Sequence, residues 1–313
     1  MTMTFTQLDL LRELEPTVEA NLNRHLSMTK NWNPHDYVPW DEGRNFAEMG
    51  GVDWDPDQSR LSELAKIAMI TNLLTEDNLP SYHREIAENF SLDGAWGTWV
   101  GRWTAEEARH SIVMRDYLVV TRGVDPVALE EARMIHMGQG FNVGNQNSML
   151  LSVSYVTFQE LATRVSHRNA GKACGDPIAD RMLARVAADE NLHMMFYRNI
   201  VGAALDVAPD QAMRAIMMIL ENFQMPGATM PDFRRNAVLI AKHGIYDLRQ
   251  HLDDVVTPVL RKWRIFERND FEPDGEELRE RLAVLLAGLE GSAKKFEESR
   301  DRALAREAAR RTA

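Results

Sequence analysis

The 313-residue chain is predicted to be all-α, a four-helix bundle core with additional helices packed on it. Three observations lead there. Apolar residues recur at three- and four-residue spacing over residues 60–89, 104–121, 148–170, 178–205, 209–223 and 232–252, the period of a helix buried on one face. No strand-like alternation and no hairpin turn signature interrupts them. Two of the helical patterns carry the same short motif, Glu107-Ala108-Arg109-His110 and Glu190-Asn191-Leu192-His193, each directly preceded by an acid, Glu106 and Asp189.

The elements follow in order. The N-terminal stretch has acids early (Asp9, Glu13, Glu15) and no basic segment leading into an apolar core, which argues against a secretory signal. Residues 31–58, with Trp32, Pro34, Pro39, Gly43, Gly50-Gly51 and Pro56, read as a long ordered loop or short turns over the bundle. A bundle core then spans 60–252, punctuated at Ser91 to Gly97, Gly123 with Pro126, Gly138 to Asn147, Gly171 to Pro177, and Pro226-Gly227. Within 60–89, the Pro80 ring conflicts with the carbonyl of Glu76, so the helix is expected to bend or loosen there. From Glu272 the chain becomes strongly charged, and Leu278, Leu282, Val284, Leu285 and Leu289 are placed to pack one helix on the domain. The last dozen residues read as a solvated helix end. A single domain over 1–313, with 272–313 as a helical extension, accounts for the whole pattern.

Composition narrows the function classes. A hydrophobic content of 44% and a charged content of 27% are ordinary for a folded domain, and no apolar run reaches the ~20 residues that span a bilayer. The single cysteine, Cys174, excludes a disulfide framework or a cysteine-based zinc site and fits the reducing cytoplasm. A net charge of −11 speaks against a general nucleic-acid surface. Local basic groups, Arg234-Arg235, Lys242 and Arg261-Lys262-Trp263-Arg264, are either solvated helix faces or a docking patch for an acidic partner.

The paired motifs carry the chemistry. Residues three apart share a helix face, so Glu107 with His110, and Glu190 with His193, each form a carboxylate–imidazole claw. Two facing claws plus one glutamate from each of two further helices build the di-iron or di-manganese centre of ferritin-like bundles. Glu76 and Glu160 stand where those glutamates are needed, one before the first claw and one between the two. Four carboxylates and two imidazoles without thiolate suit borderline-hard ions, iron first among them. Metal-bound imidazoles donate their other N–H to an acceptor, so Asp189 can hold His110, and Glu106 can hold His193, unless both are exposed helix acids. Thr163 lies one turn beyond Glu160, placing its hydroxyl beside bound oxygen or in a back-bond to its own helix.

Read together, these segments resemble the soluble acyl-acyl-carrier-protein (acyl-ACP) desaturases of plants and actinobacteria. The resemblance runs from Asn31-Trp32-Asn33-Pro34 to Arg261-Lys262-Trp263, through Thr75-Glu76-Asp77-Asn78-Leu79-Pro80-Ser81-Tyr82, Trp103-Thr104-Ala105-Glu106-Glu107-Ala108-Arg109-His110, Thr157-Phe158-Gln159-Glu160-Leu161-Ala162-Thr163 and Ala187-Ala188-Asp189-Glu190-Asn191-Leu192-His193. It implies Glu76, Glu107, His110, Glu160, Glu190 and His193 as ligands of two iron ions, Thr163 on the oxygen side, and Trp32, His110 and Asp189 as a route for incoming electrons. It further implies an O2-dependent enzyme that removes hydrogen from two adjacent methylenes of an acyl chain to leave a cis double bond. The chain would be tethered to acyl carrier protein, the electrons would come from a ferredoxin-type donor, and the enzyme would be a cytoplasmic homodimer.

The stretch His83-Arg84-Glu85-Ile86-Ala87-Glu88 is more charged than in plant members, and the connection between Glu76 and Glu107 is shorter, so chain length and double-bond position do not carry over. Other readings stay open at this level. A related di-iron monooxygenase or N-oxygenase would keep the same ligands, a radical-generating reductase subunit would need Tyr117 or Tyr155 at the cluster, and an iron store would use a shorter chain. A metal-free helical scaffold that binds acyl carrier protein would not need the ligands at all.

Overall fold

A computed structural model describes residues 4–141, 148–225, 227, 230 and 232–312, and every long element among them is helical. The first helix, α1 (Gln7–Met28), answers to no motif singled out above. It starts at Thr6, which forms a reciprocal capping box with Asp9, and buries Leu10, Leu14, Val18, Leu22 and His25 along one stripe. The segment 31–58 is a string of short 3-10 turns at Pro34–Tyr37, Trp40–Glu42, Ala47–Met49 and Pro56–Gln58.

The helical pattern over 60–89 is two helices, α2 (Glu63–Asp77) and α3 (Leu79–Asn89), meeting at Asn78. Pro80 therefore does more than bend a helix. It sits in the first turn of α3, where its missing N–H leaves no gap, and α2 ends just after Glu76. Helix α4 (Gly94–Val120) begins ten residues before the pattern at 104, inside the expected breaker. Its start is capped from outside: Asp93 makes no cap, and the Glu15 carboxylate on α1 accepts from the Ala95 N–H at 2.7 Å. Gly94, at φ +62°, admits that approach, since a Cβ there would fall 2.3 Å from Glu15 Oε1.

Pro126, expected to mark a break, opens α5 (Pro126–Gln139) behind the N-cap of Asp125. Helices α6 (Met149–Cys174) and α7 (Pro177–Val207) run through the predicted spans, with Gly171 inside α6 and Gly175 in the left-handed conformation at its end. Helix α8 (Pro209–Asn222) follows. The span 232–252 is broken at positive-φ Gly244 into α9 (Phe233–Lys242) and a helical run of α10 (Leu248–Gln250), a π-helical turn (His251–Val256) and α11 (Thr257–Trp263). The breakers at 142–147 and at Pro226 lie outside the described residues. The tail is one helix, α12 (Pro273–Thr312), buried through Leu278 and Leu282. Val284, expected in that seam, is 73% exposed on its outer side.

Helices α6 and α7 form the tightest pair; α2 lies against α4 and α6, and α1 against α4 and α7. Two apolar cores result. One gathers α1, the first half of α4, the first half of α6 and the second half of α7; the other gathers α2, the end of α4, the end of α6 and the start of α7. Between them each long helix turns polar side chains inward, Glu106, Glu107 and His110 on α4, Glu160, Thr163 and His167 on α6, Asp189, Glu190 and His193 on α7, all buried.

Candidate metal centre

Those inward residues converge. Ligand atoms of Glu76, Glu107, His110 and Glu190 lie within 4.8 Å of one another, and so do those of Glu107, Glu160 and His193, with Glu107 common to both groups. His110 Nδ1 stands 3.1 Å from Glu190, 3.4 Å from Glu107 and 3.6 Å from Glu76. His193 Nδ1 stands 2.6 Å from Glu107 and 3.4 Å from Glu160. Yet Nδ1 of both histidines, Oε1 of Glu107 and Glu190, and Oε2 of Glu160 are buried without a hydrogen-bonded partner. Five donor atoms crowded together, desolvated and not bonded to each other, are what a cation would satisfy. The donor set, four carboxylates and two imidazoles with no thiolate, fits a pair of iron ions.

The same burial shapes the charges. Desolvation pushes Glu107 and Glu160 up, and neighbouring carboxylates push them further, Glu190 on Glu107 and both Glu107 and Glu190 on Glu160. Desolvation would lower His110 and His193, but the surrounding carboxylates override it and raise both well above the usual imidazole range. Glu76, though raised by burial, ends well below the carboxylate range because the His110 and His167 imidazoles stand beside it, His167 hydrogen-bonded to it.

The acids that precede the claw glutamates work crosswise. Glu106 Oε2 accepts from His193 Nε2 at 3.0 Å, and Asp189 Oδ2 lies 3.6 Å from His110 Nε2. Both are almost fully buried, which removes the reading of exposed helix acids. Burial works against their ionisation, yet both are held well below the usual range, Glu106 by His193 and His25, and Asp189 by His110, His193 and Arg185. The Trp32 indole N–H donates to Asp189 Oδ2 at 2.6 Å, and its ring lies nearly parallel to His110 with centroids 6.4 Å apart. Thr163 Oγ1 is placed both to donate to Glu190 and to back-bond to the Glu160 carbonyl at 3.0 Å.

Three further buried residues hold the cluster, two of them, His167 and His25, outside every motif, and the third, Trp103, inside one but without a role read for it. Trp103 Nε1 donates to Glu160 Oε1 at 2.8 Å, His167 Nε2 pairs with Glu76 Oε1 at 2.9 Å, and His25 Nε2 pairs with Glu106 Oε2 at 2.8 Å. Each resembles an ordinary core aromatic on its own helix. Of the two tyrosines considered for a radical, Tyr117 gives its hydroxyl to Asp176 and Tyr155 to the Gln224 carbonyl. A cavity of about 150 Å³ reaches the cluster between α2, α6 and α9. Glu76, Thr163 and His167 stand at its polar side, and Met225, Phe233 and Ile240 line its apolar side.

Residues 6–312 match the sequence profile of the fatty acid desaturases. A Mycobacterium tuberculosis protein, provisionally named acyl-ACP desaturase DesA1, is 59% identical, over 98% of this chain and 93% of its own. A second protein of that organism, provisionally named acyl-ACP desaturase DesA2, is 41% identical over 79% of this chain and 91% of its own. The X-ray structure of DesA2 superposes with a TM-score of 0.71 at 34% identity, covering 86% of this chain and 98% of the other.

Proposed function

This chain belongs to the fatty acid desaturase family, and from that premise we propose that it is an O2-dependent acyl-ACP desaturase that introduces a cis double bond through a di-iron centre. The observation that carries the reading is the buried, mutually unbonded cluster of Glu76, Glu107, His110, Glu160, Glu190 and His193. Glu76, His110 and Glu190 would hold one iron, Glu160 and His193 the other, with Glu107 reaching both. The bound irons supply reduction of O2 and the oxidising power to break two C–H bonds.

The chain's own side chains do the positioning. Glu106 takes the outer N–H of His193, and Asp189 faces the outer nitrogen of His110 at 3.6 Å, so that Nδ1 of each ring would face the ions. Trp103 and His167 hold Glu160 and Glu76, and Thr163 brings its hydroxyl to Glu190 beside the cavity. The apolar side of the cavity would seat acyl methylenes next to the ions, and the positions it fixes select which hydrogens leave. At about 150 Å³ it is smaller than the ~300–1,000 Å³ of ligand pockets, so seating a chain would require its walls to open. The exposed Arg234 and Arg235 on that same helix suit an acidic carrier at the cavity mouth. Electrons from a ferredoxin-type donor would enter at Trp32, flanked by Arg109 and Arg185 at 4.9 and 6.0 Å from its ring, and pass by way of Asp189 and His110.

We propose a homodimeric, cytoplasmic enzyme in which all of 1–313 serves one catalytic unit. No helix among the described residues is long and apolar enough to cross a membrane, and Cys174 is a free buried thiol. The test is turnover of iron-loaded protein with O2, a ferredoxin reducing system and a panel of saturated acyl carrier proteins, followed by intact-mass spectrometry. Loss of two hydrogens from the acyl group, dependent on iron, is expected. Gain of one oxygen would move the chain to the monooxygenases.

A further inference from the structure

We infer that His25, in the last turn of α1, is a positioning residue for one of the two irons, acting through Glu106 on His193. The inference rests on the di-iron reading above and concerns a residue outside every motif that supports it.

The cluster has an approximate two-fold arrangement. Each claw imidazole faces the acid that precedes the other claw's glutamate, and each acid receives a further N–H from the N-terminal part of the chain. On one side the acid is Asp189 and the donor is Trp32 at 2.6 Å. On the other the acid is Glu106 and the donor is His25 at 2.8 Å. His25 is 3% exposed, enclosed by Trp99 edge-on at 5.0 Å and stacked with His193 at 5.7 Å.

The tautomer follows from burial. His25 Nδ1 has no hydrogen-bonded partner, so a proton there would be a buried orphan donor, while an unprotonated Nε2 would point its lone pair at a carboxylate oxygen. Nε2–H to Glu106 avoids both. One oxygen of Glu106 thus accepts from two imidazoles, His25 and His193.

A competing pull acts on the same carboxylate. Arg102 and Arg109, one turn either side on α4, both reach Glu106 Oε1, and each is partly exposed. Without His25, His193 alone among the described residues holds Oε2 inward on the buried side. Glu106 would then turn toward the arginines, and the His193 ring would lose the acceptor that keeps Nδ1 on the metal side.

The test uses the full chain loaded with 57Fe, comparing His25→Ala, His25→Gln and His25→Leu with Trp32→Phe. Gln restores an N–H donor at similar reach; Leu restores bulk without a donor. Ferrous affinity by chelator competition should fall about tenfold for one ion in His25→Ala and His25→Leu and recover in His25→Gln. Mössbauer spectra should show one altered quadrupole doublet in the Ala and Leu variants and the other doublet altered in Trp32→Phe. Recovery by Leu but not Gln would make His25 a packing residue and overturn the inference, as would unchanged doublets in all His25 variants. Wild-type protein that holds fewer than two irons would instead overturn the di-iron reading itself.

Discussion

Loading the centre should release protons as two ferrous ions enter, because a carboxylic acid or an imidazolium must lose its proton to become a ligand. In the metal-free fold burial pushes Glu107 and Glu160 up, and the carboxylates around His110 and His193 push both imidazoles up, so the cluster shares protons that the ions displace. The layer lies between two apolar cores, where net charge is costly, so protons leave as divalent ions enter. Affinity per ion should therefore rise with pH, about tenfold per unit for each proton displaced, which corresponds to about 1.4 kcal/mol per unit. Anaerobic chelator competition at pH 6.5 and 7.5 reads the slope, and calorimetry in buffers of different ionisation enthalpy counts the protons. A slope below tenfold per unit, with fewer than one proton released per ion, would mean that the carboxylates are already ionised without metal and would refute the argument.

Three further outcomes are expected. Glu107→Ala and His193→Ala should each lose bound iron and abolish turnover with unchanged helicity by circular dichroism, whereas Glu106→Gln, which removes no ligand, should cost about 10–100-fold in iron affinity. Leu282→Ala should cost about 2–5 kcal/mol in urea unfolding, because Leu282 is fully buried on the inner side of α12, while Val284→Ala on the outer side should stay within about 0.5 kcal/mol. His251, stacked on Phe223 and bonded to the Tyr246 hydroxyl, is lowered by burial from 6.5 to about 4. The unfolded chain then takes up a proton that the fold refuses, so stability is full above pH ~6.5 and falls by up to about 3 kcal/mol as pH drops to about 4. His251→Gln should remove that part of the acid sensitivity, and an unchanged difference between pH 7 and 4.5 would contradict it.

What the sequence made legible was local. The claws show because ligand type and spacing sit within four residues, and the long helices show because their stripes repeat. Helix α1 was equally legible, with Leu10, Leu14, Val18 and Leu22 behind a Thr6–Asp9 cap, but its acids drew the reading toward targeting instead. The break at Gly123 to Pro126 does separate two helices, but Asp125-Pro126 is also how helices begin, and it opens α5. The start of α4 was hidden for another reason, since its cap comes from Glu15 on a different helix. His25, His167 and Trp103 bond to partners 81, 91 and 57 residues away, and only the fold brings those pairs together.

On the proposed function, the two faces of the cluster serve different traffic. Toward α1 and the turns of 31–58, Glu106 and Asp189 are tied down by His25, Trp32 and arginines. Toward α9, the cavity meets Glu76, Thr163 and His167. Glu76 differs from the other proposed ligands in its backbone. Glu107, Glu160 and Glu190 stand mid-helix, whereas α2 ends one residue after Glu76, so that carboxylate is held by His167 and His110 more than by helical neighbours on both sides. The carboxylate at a helix end is therefore the one that faces the cavity. On the proposed assignment, electrons reach the irons through the rigid face, while O2 and the acyl chain approach the yielding one. On that assignment the break at Asn78, beside Pro80, would leave Glu76 at a helix end on the cavity side.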